Sequence, residues 1–102
     1  MNPQHEKQLE ASVRRELEVL GVLWQRSPLS VREVMDQLNQ SRPRAYTSVM
    51  SLLNVMVEKN LLGWKPVGRA FVYAAKASRK RTMNRMLSDI LGRVFDGSAQ
   101  LL

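Results

Sequence analysis

The chain holds 102 residues, with 16 Lys+Arg against 9 Asp+Glu, one histidine and no cysteine. That length suits one compact domain with a short appended element, and 44% apolar with 25% charged residues is a globular rather than a disordered composition. A disulfide framework, a thiolate metal site and a multi-histidine zinc site are excluded, and no apolar run approaches the ~18–20 residues that span a bilayer.

In chain order, SVRRELEVLGVLWQRS (12–27) repeats Val13, Leu17, Leu20, Leu23 and Trp24 at helical spacing, with Ser12 placed as an N-cap. Gly21 inside that pattern costs about 1 kcal/mol relative to alanine, which implies a second helix crossing close by. The helix is expected to stop near Ser27-Pro28. LSVREVMDQLNQ predicts a short second helix, with Ser30 and Glu33 as a capping box and Val31, Val34, Met35 and Leu38 as its apolar face. QSRPR then turns the chain into a third helix, AYTSVMSLLNVMVEKN. That helix buries Val49, Leu52, Leu53 and Met56, presents Tyr46, Thr47, Ser48, Met50, Ser51 and Asn54 on its other face, and ends near Asn60.

The period then changes. LLGWKPV and FVYAA read as two short strands about a Gly68-Arg69 turn, and Pro66 assigns its strand to an edge. Ser78 can cap a fourth helix, SRKRTMNRMLSDILGRVF, whose Met83, Met86, Leu87, Ile90, Leu91, Val94 and Phe95 form one apolar stripe. Helix–helix–helix–hairpin–helix is the order of a winged helix-turn-helix, in which the second helix crosses the DNA backbone and the third enters the major groove. The expected fold is mainly α with a small β-hairpin. It divides into a winged-helix DNA-binding domain over residues 1–77 and a C-terminal dimerisation helix over residues 78–102.

Charge is segregated along the chain. Residues 1–40 hold five basic and six acidic side chains, whereas residues 41–102 hold eleven basic and three acidic. Such an imbalance is the electrostatic footprint of a polyanion binder. The opening MNPQHEKQLE carries no apolar h-region, so a soluble, cytoplasmic protein without membrane contact is expected.

The candidate DNA contacts follow from placement. Tyr46, Thr47, Ser48, Met50, Ser51 and Asn54 lie on the third helix opposite its core stripe, where side chains reach base edges. The competing readings are packing of Tyr46 against the second helix and plain capping by Thr47 and Ser48. Arg42 and Arg44 precede that helix and are placed for phosphate at its N-terminus, or else are solvated. The wing runs from Lys65 to Phe71, with Arg69 at its tip to reach the backbone or minor groove, the alternative being an exposed turn arginine. Arg79, Lys80 and Arg81 stand in a first turn where the helix dipole disfavours cations. Either that helix starts later, or an anion offsets the repulsion. The apolar stripe from Met83 to Phe95 exceeds what the N-terminal core needs, which points to a twofold partner helix. No paired carboxylate in a cleft, Cys/His pair, phosphate loop or metal set supports an enzyme, and no cofactor or metal is expected. Glu6, Glu10, Glu16 and Glu18 read as solvated helix faces. The alternative function is a winged-helix protein-interaction or RNA-binding module. Among aromatics, only Tyr46, Tyr73 and, depending on strand phase, Phe71 are placed to stack on bases, which favours duplex DNA.

ELEVLGVLW (16–24), PLSVREV (28–34), AYTSVMSLL (45–53), EKNLLGW (58–64), GRAFVY (68–73) and FDGS (95–98) follow one another in order. Together they resemble the penicillinase-repressor family of bacterial transcriptional regulators, BlaI/MecI with its copper-responsive CopY branch. The resemblance implies a winged-helix repressor that binds a palindromic double-stranded DNA operator as a homodimer through its C-terminal helices. It also places Thr47, Ser48, Met50 and Ser51 on the family's groove-contact positions. The copper branch's cysteine cluster is absent, so its metal chemistry does not transfer. Family members usually continue beyond FDGS, so the dimer region is expected to be incomplete here. An upstream sensor or protease is implied by resemblance alone.

Overall fold

The computed structural model describes the backbone of residues 3–101 and the side-chain surroundings of residues 11–89, 91 and 92. The first helix, α1 (Pro3–Gln25), begins well upstream of the expected cap, so Ser12 lies inside it. PQHEKQLEA contains no glycine and is rich in helix formers, so nothing there ends the helix. Pro3 occupies the first position, where a missing N–H costs nothing. The expected crossing at Gly21 is not found: a Cβ there would meet nothing within 4 Å.

A strand follows that the sequence reading did not anticipate. β1 (Leu29–Ser30) is two residues long and leads directly into α2 (Val31–Leu38). Ser30 caps α2 as expected: Glu33 N donates to Ser30 Oγ at 3.2 Å, and Ser30 N donates to the Glu33 carboxylate at 3.0 Å. The backbone bond from Ser30, helped by its hydroxyl, holds the Glu33 carboxyl below the usual carboxylate range.

Helix α3 (Tyr46–Glu58) closes in a Schellman turn. Leu61 N donates to Met56 O and Asn60 N to Val57 O, both at 2.9 Å, with Asn60 itself left-handed at φ 64°. β2 (Leu62–Val67) and β3 (Ala70–Ala75) form the expected hairpin. β1 pairs with β3, Leu29 opposite Tyr73, so the sheet order is β1-β3-β2. Pro66 thus lies on an edge strand, as its missing donor requires. Finally α4 (Arg79–Leu101) runs past the expected end at Phe95.

The buried core is drawn from Val19, Leu20 and Leu23 of α1, Val31, Val34 and Leu38 of α2, and Val49, Leu53 and Met56 of α3. Leu29, Leu62 and Tyr73 of the sheet complete it. No described residue of α4 belongs to that core. The helix is tethered at its root, where Trp24 Nε1 donates to Ala77 O at 2.8 Å and the Lys76 and Ala77 amides both donate to Leu61 O. Contrary to expectation, Glu16 and Glu18 are not solvated faces but tie α1 to the chain around α3. Lys59 Nζ meets Glu16 at 2.5 Å, and the Arg44 guanidinium meets Glu18. The side chains of Glu6 and Glu10 lie outside the described residues.

Candidate nucleic-acid interface

Three buried residues orient α3. At about 100° per residue, Val49, Leu53 and Met56 fix the inward direction, and Thr47, Ser51 and Asn54 fall within about 50° of its opposite. Met50 flanks that outer strip on one side, with Tyr46 beyond it nearer the buried face, and Ser48 flanks the other, and all six are exposed. The N-terminus of α3 is open. Its cap position is Ala45, which makes no side-chain bond, and no acidic residue stands in the first turn. Thr47 and Ser48 therefore do not cap the helix, which excludes that reading of them. The first-turn N–H groups and the positive end of the dipole together suit an anion.

The approach to α3 is braced by Arg44. Its backbone N–H donates to Asn39 Oδ1 at 2.9 Å, and its guanidinium donates to Arg42 O at 3.0 Å, to Leu38 O and to the Glu18 carboxylate. This side chain links α1, the end of α2 and the start of α3, with its donors directed inward. Arg42 is exposed beside it.

The wing turns at Gly68 and Arg69, with positive φ (61°) at the glycine alone. Positive φ at the first central residue is the pattern of a II′ hairpin turn, and glycine adopts it without a Cβ clash. Arg69 sits at the tip and Lys65 on β2, both exposed. Strand alternation puts Trp64, Pro66 and Phe71 on the same face as buried Tyr73, and Lys65, Val67 and Val72 on the other. Trp64 and Phe71 are 52% and 51% exposed and meet edge to face, ring centroids 5.1 Å apart. Trp64 was missed in sequence, although its two-residue offset from Leu62 assigns it to the core-side face. Tyr73, one of the expected stacking aromatics, is instead core. Burial pushes its hydroxyl pKa up, and nearby Tyr46 adds to the shift.

On α4, Met83, Leu87 and Leu91 are 46%, 56% and 44% exposed, while Met86 is half-buried. The side chains of Ile90, Val94 and Phe95 lie outside the described residues. Ser78 Oγ accepts from Arg81 N at 3.0 Å, so the helix starts among its cations and the later-start alternative is excluded.

The sequence model of the family described as Penicillinase repressor matches residues 13–102. The chain belongs to the penicillinase repressor family. It is 33% identical to the transcriptional regulator BlaI of Mycobacterium tuberculosis over 83 residues, covering 80% of this chain and 60% of that protein. It is also 25% identical to the penicillinase repressor of Bacillus licheniformis over 83 residues, covering 81% of this chain and 65% of that protein. It thus spans less than two thirds of the length of these relatives. A solution structure of the DNA binding domain of the repressor BlaI superposes with a TM-score of 0.58 at 27% identity, covering 65% of this chain and 80% of that domain. The fold is therefore the winged helix of this family. Among the described residues no group of three or more His, Asp or Glu could hold a metal, and no helix is long and apolar enough to cross a membrane.

Proposed function

We propose that this protein is a sequence-specific transcriptional repressor that binds a palindromic double-stranded DNA operator as a homodimer. The observation that carries this reading is the outer strip of α3, polar and exposed, running from an uncapped N-terminus and flanked by an arginine-tipped wing. Thr47, Ser51 and Asn54 face the major-groove floor, with Met50 and Tyr46 on the wing side available to a thymine methyl or sugar. The open amides of α3, together with Arg42 and Ser48, hold phosphate. Lys65 and Arg69 follow the adjacent backbone. Arg44 acts as a positioning residue that sets the angle of α3.

The exposed stripe of Met83, Leu87 and Leu91 is the proposed contact between two copies. It would set the recognition helices about one helical turn, ~34–36 Å, apart. A second reading, a single-strand or RNA binder, draws support from Trp64 and Phe71, two exposed aromatics on the wing.

Anisotropy titrations of duplex, single-stranded DNA and RNA across a salt series decide between these. Operator repression predicts a duplex preference and a log K against log salt slope of several units, near −0.9 per phosphate. A flat plot, or a preference for the single strand, overturns it. Thr47→Ala should shift sequence preference, whereas Arg69→Ala should weaken all sequences alike.

A further inference from the structure

Between α1, the corner joining α3 to β2, and the first turns of α4 lies a groove of about 700 Å³. It falls within the roughly 300–1,000 Å³ typical of small-molecule sites. Leu17 and Leu20 of α1, Leu61 of the corner and Met86 of α4 supply an apolar lining. Four cations stand around it: Lys59, Lys76, Arg81 and Arg85.

The cations are not equivalent. Lys59 is neutralised by Glu16, the one carboxylate among the described residues that line the groove. Lys76 Nζ donates to Asn60 Oδ1 at 3.1 Å, a neutral acceptor, and meets no carboxylate within ion-pair distance among the described residues. Arg81 and Arg85 meet no carboxylate within ion-pair distance among the described residues. They stand four residues apart on α4, hence side by side, where like charges destabilise a helix. The dipole at this end further opposes Arg81, which stands in the first turn. A phosphate group alone would answer the charge but leave the leucine lining unused.

We infer that this groove is a binding site for a small amphipathic organic anion, a carboxylate on an aromatic or medium-chain aliphatic body. The carboxylate lies between Arg81 and Arg85 with Lys76 opposite, and the body covers Leu17, Leu20, Leu61 and Met86. The groove faces a different side of α4 from the Met83–Leu91 stripe, so ligand and partner helix do not compete for it. The site is independent of the DNA reading, and its test uses no DNA.

The full chain is titrated with 2-naphthoate and with decanoate by calorimetry and by amide NMR. The neutral 2-naphthamide and inorganic phosphate serve as controls. Saturable binding of at least one of the two acids is expected, with shifts centred on Leu61, Lys76, Ala77 and Arg81. Its affinity should fall at least tenfold for naphthamide, for phosphate, and for the acid on the Arg81→Ala/Arg85→Ala variant, whose circular dichroism should match the parent. Equal binding of naphthamide or phosphate overturns the inference. So does unchanged affinity in the double variant, shifts confined to the Met83–Leu91 face, or failure of both acids to bind.

Discussion

Arg44 offers the sharpest separation between a contact with DNA and a contact that shapes the protein. Its side chain is 13% exposed and that of Glu18 is 31% exposed, so the pair lies between two limits. Fully exposed pairs contribute about 0.2–1 kcal/mol, and breaking a buried pair costs about 3–5 kcal/mol. Arg44→Met removes the pair and the bonds to Leu38 O and Arg42 O. Leu38 O keeps the Ser41 hydroxyl at 3.0 Å, so it is not orphaned. A loss of about 2 kcal/mol follows, which lowers Tm by roughly 10 °C in a domain of this size. Glu18→Gln keeps the shape and one acceptor, so about half that loss is expected. Urea denaturation gives the stabilities, and duplex titration over a salt series gives the slope. If Arg44 sets the angle of α3, Arg44→Met weakens binding with the slope unchanged, and Glu18→Gln never strengthens it. A slope shallower by about 0.9 in Arg44→Met at full stability would show a lost phosphate contact instead, and would refute the bracing role.

Three further outcomes follow from single features. The folded-state pKa of Glu33 is depressed, so its contribution is present above the unfolded carboxylate pKa and lost as pH falls through the folded value. Glu33→Gln should therefore cost stability near neutral pH and nothing in urea melts at strongly acidic pH. Gly68→Ala places a Cβ at φ 61° with open space around it, a purely conformational cost of about 1 kcal/mol. Gly68→Asn should cost less, and duplex affinity should follow the same order by anisotropy. Leu87→Asp changes a side chain that is already exposed, so circular dichroism should stay native while sedimentation equilibrium shows lost self-association and operator affinity drops. A parent chain monomeric at millimolar concentration would sink the dimer reading.

The parts legible in sequence were those written in a period or a single stereochemical demand. Val49, Leu53 and Met56 recur at helical spacing, so the outward face of α3 followed by subtraction. Ser30 with Glu33, Gly68 and Pro66 each announced a cap, a turn and an edge. β1 stayed hidden because two residues show no alternation, and its strand character comes only from pairing with Tyr73. The start of α1 was misplaced because Ser12 satisfies the local rule for a cap while PQHEKQLEA satisfies the rule for a helix, and the second won. Glu18 and Arg44 are 26 positions apart, a separation at which no local pattern pairs charges. Trp64 was within reach, had the alternation from Leu62 been carried two residues further.

The cations of α4 are where local rules and fold conflict most openly, and linkage says what a resolution must look like. The helix starts at Arg79, so Arg79, Lys80 and Arg81 stand at the positive end of its dipole. α4 adds nothing described to the buried core and is tethered at its root by Trp24 and Leu61. Among the described residues few other contacts hold its direction, so an anion bridging Arg81, Arg85 and Lys76 would bias it. Because α4 also carries the stripe proposed to space two recognition helices, the groove and the operator would then share one degree of freedom. A shared degree of freedom couples both ways: if naphthoate weakens duplex binding by some factor, duplex must weaken naphthoate binding by the same factor. Measuring one factor fixes the other without adjustable terms. Unequal factors would mean that the acid acts on the duplex or at a second site, rather than through α4.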